Sequence, residues 1–130
     1  TLGITNMALA KELMGSGFSA GQASSVGGYY SAVTATGSVQ GDAAAIGAGM
    51  TVVSGADATK GVILTGQPGD SVWVFNSSAS ALKVYPTSGA AICVPGTGLG
   101  SANAAYSMTL QSLAEFKCIT ATQWFVNKSA

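Results

Sequence analysis

The chain has 130 residues, the size of one domain, and its five lysines balance five acidic residues, so the net charge is zero. Charged residues make up 8% of the chain, against about a quarter in a typical soluble domain. With no arginine and five scattered lysines, there is no basic stripe for phosphates, which excludes nucleic acid as a partner. Because no apolar run reaches roughly eighteen residues, no membrane span is predicted. A surface this poor in charge is weakly protected against association, which predicts an assembly subunit.

Residues 1–27 are the one helical piece that the sequence predicts. Thr5 or Asn6 suits the N-cap of a helix that ends at Gly15, and Ser19 with Gln22 is a capping-box pattern for a second helix. The pattern favours equally an arm that docks in a partner's groove and a segment that packs back onto the rest of the chain. The candidate docking residues are Leu9, Leu13, Met14 and Phe18.

The sequence pattern of residues 28–130 predicts a β domain. This domain is also the expected oligomerisation domain. Short β-branched and aromatic runs are separated by Gly, Pro, Asn and Ser, which is typical of about eight short strands. The predicted strands are Ser31–Val39, Ala43–Val53 as one or two strands, 62–64, 72–75, 82–85, Ala90–Val94, Ala105–Leu110, Ala114–Ile119 and Gln123–Val126. The expected fold is mainly β, an antiparallel β-sandwich or barrel preceded by the short helical arm.

The runs 62–64, 72–75 and 82–85 occupy the centre of this pattern and predict an antiparallel meander. In the middle run, Trp73 and Phe75 point to one face of the strand, and Val72 and Val74 point to the other. Both faces are apolar, so the strand is expected to be covered on both sides, by its own core or by other copies. The candidate core or oligomer-interface residues are Val72, Trp73, Phe75, Tyr85 and Trp124. A sugar-stacking platform built from the same aromatic residues is the less favoured interpretation.

Little in the composition supports catalysis or metal binding. The chain has no histidine and no Cys-x-x-Cys pair, which excludes Ser-His and Cys-His nucleophiles and argues against a structural zinc site. Gly96, Gly98 and Gly100 lie in a loop that lacks the Lys-Ser/Thr of a P-loop. Cys93 and Cys118 are interpreted as two buried thiols, although the spacing also permits a disulfide. We therefore expect no enzyme, no cofactor and no metal, with a Ser-Lys or carboxylate hydrolase as the remaining enzymatic alternative.

Residues 69–76 (GDSVWVFN), followed by LKVYP at 82–86 and GAAI at 89–92, resemble a pattern of small virion proteins of tailed bacteriophages. In those proteins "GD-x-V-x-V-x-N" is followed by "L-x-V-Y-P-x-x-G-x-x-I". The end of the chain, from Ala114 through Phe116 and Cys118 to Trp124, resembles their "A-x-F-x-C…W" close. A weaker likeness covers the helical stretch with Leu13, Gly17 and Ala23. The resemblance spans residues 9–26 and 60–126.

The resemblance implies a head decoration or head-fibre protein, or a tail-fibre domain, in families that form trimers of β-sandwich or barrel protomers. Because the chain has no heptad or shaft repeat, the compact capsid decoration (cement) protein is favoured. Its expected partners are the major capsid protein and itself, as a homotrimer. Its expected location is the capsid surface of the virion, after assembly in the host cytoplasm. The alternative is a receptor- or glycan-binding domain of a tail fibre.

Overall fold

The computed structural model describes residues 30–128. The predicted helical arm, with its docking candidates Leu9, Leu13, Met14 and Phe18, lies outside these residues. Within them the regular structure consists of eleven β-strands and one 3-10 turn. The prediction of a mainly β fold is therefore confirmed, with more strands than the eight expected.

The strands form two sheets, here named the large sheet and the small sheet. In spatial order the large sheet contains β1 (Tyr30–Thr34), β3 (Gly49–Ser54), β5 (Ser71–Asn76), β10 (Leu113–Thr120), β11 (Gln123–Lys128), β7 (Ala91–Val94) and β8 (Gly98–Leu99). The small sheet contains β2 (Ala44–Ile46), β4 (Gly61–Leu64), β6 (Leu82–Tyr85) and β9 (Tyr106–Met108). The 3-10 turn, Gln40–Asp42, lies between β1 and β2.

From β1 to β6 the chain alternates between the two sheets at every strand, and neighbouring strands within each sheet run parallel. Tyr30 lies beside Met50, and Met50 lies beside Trp73. The chain thus winds as a short coil with a repeat of about twenty residues, as in solenoid proteins. The antiparallel pair β10 and β11 follows β5 in the large sheet, and β7 runs parallel to β11.

The antiparallel meander predicted for the three central runs is wrong. The runs become β4, β5 and β6, of which β4 and β6 are parallel neighbours in the small sheet and β5 lies in the large sheet. The connectors 65–70 and 77–81 carry the chain from one sheet to the other instead of reversing it beside itself. Both kinds of connection need Gly, Pro, Asn and Ser, so the turn residues alone do not distinguish them. Antiparallel pairing occurs in the later strands, so both sheets are mixed.

One hydrophobic core lies between the sheets, because alternate side chains of each strand point inward. The main inward residues of the large sheet are Val53, Val72, Val74, Phe116, Trp124 and Val126. Those of the small sheet are Ile46, Val62, Leu64, Leu82, Val84 and Met108. The two layers with a shared core confirm the predicted sandwich.

The chain enters β5 through a tight turn that the sequence predicts correctly. The backbone N–H of Asp70 donates to the carbonyl of Gln67 at 2.9 Å, and the Asp70 carboxylate accepts from the N–H of Gln67 at 2.9 Å. Gly69 has a φ of 99°, a left-handed conformation that favours glycine, and it follows Pro68. The turn is held against β10 because the Gly69 N–H donates to the Cys118 carbonyl and the Cys118 N–H donates to the Asp70 carbonyl.

At the other end of β5, the buried side chain of Asn76 joins three segments. Its amide nitrogen donates to the carbonyls of Ser80, at 2.9 Å, and Thr109, at 3.2 Å. Its amide oxygen accepts from the N–H of Ser78 at 3.1 Å. Asn76 itself is fully buried. The side chain therefore satisfies backbone groups of two loops, and it shares the Thr109 carbonyl with the Ser112 hydroxyl.

Candidate functional site

The acidic residues that catalysis would require occupy turns. The Asp57 carboxylate accepts from the Thr59 hydroxyl at 2.6 Å and from the N–H groups of Thr59 and Lys60. The hydrogen bond from the Thr59 hydroxyl, with these backbone bonds, lowers the pKa of Asp57 to about 2. Asp70 closes the turn before β5 in the same way. The carboxylates of Asp57 and Asp70 thus satisfy backbone N–H groups of their own turns.

Among residues 30–128, no three His, Cys, Asp or Glu side chains lie close enough together to hold a metal ion. Over the same range, no helix is long and apolar enough to cross a membrane.

Both cysteines are free thiols, and they lie on opposite faces of the large sheet. Cys118 pairs with the buried Trp124 and points into the core, whereas Cys93 pairs with Phe125 on the other face. A disulfide would require the two side chains to share one face. The prediction of two buried thiols is therefore confirmed for Cys118 only, since Cys93 is half-buried.

This placement predicts different reactivities for the two thiols. Burial, and secondarily the charge of Asp70, raise the pKa of the Cys118 thiol, and the thiolate is the reactive form. In the folded single chain, at protein concentrations too low for self-association, we expect a maleimide to modify Cys93 at least about tenfold faster than Cys118. Mass spectrometry should show one adduct in the native protein and two after denaturation. Two equally rapid native modifications would contradict the inward position of Cys118.

The side of the large sheet that faces away from the core, here named the outer face, is mainly apolar. The strand register sets its side chains in three rows that cross the sheet. The first row contains Tyr30, Met50, Trp73, Glu115 and Asn127. The second contains Ala32, Val52, Phe75 and Leu113, and the third Ser71, Lys117, Phe125, Cys93 and Leu99. No strand or helix of residues 30–128 forms a further layer over this face.

Large apolar side chains are partly open to solvent along the outer face. Trp73, Phe75, Met50 and Val52 are half-buried. Phe125 is 37% exposed and Leu99 is 60% exposed. Monomeric soluble proteins seldom expose a contiguous apolar patch of this kind, and such patches mark interaction sites. The outer face is therefore the candidate functional site.

The three rows contain two charged side chains, both on β10. Glu115 and Lys117 are two positions apart, so they point to the same side of the strand. The Lys117 ammonium donates to the carbonyl of Gly69 at 2.8 Å and to the hydroxyl of Ser71 at 3.1 Å. The tight turn before β5 thus fixes the position of this positive charge.

The structure separates the five residues predicted for the core or interface. Val72 and Trp124 are fully buried in the core, whereas Trp73 and Phe75 lie on the outer face. Tyr85 is buried apart from the core cluster, with its hydroxyl donating to the Ser38 carbonyl at 3.3 Å. A stacking platform that includes Tyr85 and Trp124 is therefore not formed.

The sequence prediction missed part of the outer face. Met50 and Val52 lie beside Trp73 and Phe75, and Leu113 lies beside Phe75, only because of the strand register. Phe125 lies two strands from β5, beside Lys117. The alternation of residues 113–119 was a usable signal, since it places Leu113, Glu115 and Lys117 on one side. A pocket of about 140 Å³ opens at one end of the face and is lined by Trp73, Leu113, Asn127 and Lys128.

A second pocket, of about 120 Å³, lies between β7 and the loop that precedes β9. Its walls are mainly small or apolar, with Ile92, Val94 and Tyr106 as the largest side chains. It holds no charged residue, and we assign it no function.

Comparison of the chain with protein-family models, curated proteins and solved structures finds no match.

Proposed function

We propose that this chain is a structural virion protein, a capsid decoration (cement) protein that binds the outside of a bacteriophage head and stabilises it. The observation that carries the proposal is the outer face, an apolar surface with Trp73, Phe75 and Phe125 on a protein that has little charge elsewhere. The resemblance of residues 69–92 to small virion proteins agrees with it. The proposed role is mechanical and involves no catalysis.

The proposed mechanism is burial of apolar surface between neighbouring subunits. Each square ångström of apolar surface removed from water contributes about 25 cal/mol. Repeated attachment on a symmetric lattice turns individually weak contacts into firm binding. The proposed partners are the major capsid protein, contacted by residues 1–27, and two further copies of the chain in a homotrimer. The proposed location is the capsid surface, reached during assembly in the host cytoplasm.

Deleting residues 1–26 separates the two proposed contacts. We expect the shortened chain to keep its self-association, because residues 30–128 form the two sheets and the core described above. It should no longer sediment with capsids, whereas the full chain should. Undiminished capsid binding by the shortened chain would contradict the docking role of the arm. A full chain that fails to bind capsids would contradict the decoration function.

A receptor- or glycan-binding domain of a tail fibre is the second candidate, favoured by one observation. The pocket beside Trp73 also contains Asn127 and Lys128, which supply polar groups next to an aromatic ring. Soluble sugars can be titrated against tryptophan fluorescence, and Trp73→Phe tells which indole responds, because Trp124 is fully buried. A sugar-dependent change that Trp73→Phe removes would support the lectin function. An unchanged spectrum would count against it.

A further inference from the structure

We propose that the outer face is the surface by which one copy of the chain binds the next, with Glu115 of one copy against Lys117 of its neighbour. The inference deepens the proposed function, because it names the face and the charge pair that would hold the homotrimer together. It depends on self-assembly and not on the identity of the particle to which the oligomer binds.

The size of the outer face suits a contact between folded chains. Seven strands about 4.8 Å apart, with about five residues of about 3.3 Å each, give a flat area of about 500 Å². This is of the same order as the roughly 800 Å² of accessible surface that each partner contributes to a stable interface. The centre of the face is aromatic and aliphatic, with Trp73 and Phe75 at adjacent outward positions of β5. Interface centres are enriched in such residues.

The charges of the face are complementary to those of an identical face. Glu115 and Lys117 are the two charged side chains of its three rows, they are opposite in sign, and their sum is zero, while Lys128 lies in the pocket at one end of the face. A second copy therefore meets no net repulsion, whereas a partner with a strong charge of either sign gains no attraction. In a closed ring of copies, Glu115 of each chain can meet Lys117 of the next.

Lys117 and Glu115 differ in the partners that each has within its own chain. Lys117 is held in place by the Gly69 carbonyl and the Ser71 hydroxyl, so little conformational entropy is lost when it binds a carboxylate. Glu115 is half-buried between Trp73 and Asn127 in its row and has no ion-pair partner within residues 30–128. A half-buried carboxylate that loses more water on association requires a cation opposite it. The ammonium of a neighbouring copy meets that requirement.

Charge reversal in the full chain tests the pairing. Glu115→Lys and Lys117→Glu each create like charges across the contact, which is expected to raise the dissociation constant of self-association at least about tenfold. The double variant restores opposite charges and should recover most of the lost affinity. The double variant lacks the hydrogen bonds of Lys117, as Lys117→Glu alone does. A loss of affinity caused only by those missing bonds would therefore persist in the double variant. Lys60→Glu, on an exposed loop outside the face, is the matched control. It should leave the dissociation constant of self-association unchanged.

Sedimentation velocity over a range of concentrations gives the dissociation constants, and near-ultraviolet circular dichroism shows that each variant is folded. The proposal is supported if both single variants associate more weakly than the wild-type chain and the double variant recovers most of the affinity. Wild-type affinity in the single variants, or no recovery in the double variant, overturns it. Single variants that keep their self-association but lose capsid binding would assign the face to the capsid, leaving the proposed function standing. A wild-type chain that binds capsids as a single chain would also overturn the face assignment.

Discussion

Replacing Trp124 by alanine is expected to lower the free energy of unfolding by about 3–5 kcal/mol. The indole is fully buried in the core between the sheets, and its Nε1–H donates to the Thr87 hydroxyl at 3.0 Å. Removing it leaves a large cavity and an unpaired hydroxyl. Because β11 lies between β10 and β7, the cavity would weaken the packing of both neighbours. Urea denaturation, followed by far-ultraviolet circular dichroism at fixed protein concentration, measures the loss.

Leu110→Ala is the matched control for this loss. Leu110 is a large apolar residue outside both sheets, and it is 54% exposed. Its truncation should change the free energy of unfolding by no more than about 0.5 kcal/mol. Similar losses for the two variants would contradict the central position of Trp124 in the core.

Replacing Asn76 by alanine is expected to cost about 3 kcal/mol of the free energy of unfolding. The substitution leaves the Ser80 carbonyl and the Ser78 N–H without this partner and removes one of the two donors to the Thr109 carbonyl, which keeps the Ser112 hydroxyl. An unsatisfied buried polar group costs about 1–3 kcal/mol, and water entering the two loops would offset part of the total. The same urea titration measures the effect.

Gln67→Ala controls for the loss of an amide as such, because the Gln67 side chain is exposed in the turn before β5 and lies outside the outer face. Its effect should stay within about 0.5 kcal/mol. If Asn76→Ala lost no more free energy of unfolding than this control, the buried amide of Asn76 would not stabilise the contact between the loops and β5.

The stretch at residues 69–76 shows what a sequence can predict. Its local features each have a local physical cause. Gly69 adopts a positive φ, Asp70 closes the turn, and Val72 and Val74 alternate with Trp73 and Phe75 across the strand. Period-two alternation and turn chemistry are properties of neighbouring residues, so the strands and this turn follow from the sequence.

The pairing of the strands is not a local property, and it was the part predicted wrongly. A connector such as residues 65–70 has the same composition whether it reverses the chain in a hairpin or carries it to the opposite sheet. The burial of Tyr85 depends on the segment around Ser38, 47 positions away in sequence. The outer face likewise requires the register that places Met50 beside Trp73. Trp73 and Phe75 were therefore predictable as candidates, and their neighbours on the face were not.

The mass of the full chain in solution tests the account most directly. A neutral chain with an apolar outer face is expected to associate, and the proposed homotrimer has three times the mass of the 12.8 kDa chain. Sedimentation equilibrium at micromolar concentration should give this mass, with dissociation only on strong dilution. A stable species of 12.8 kDa at every concentration, with no tendency to associate, would contradict the account.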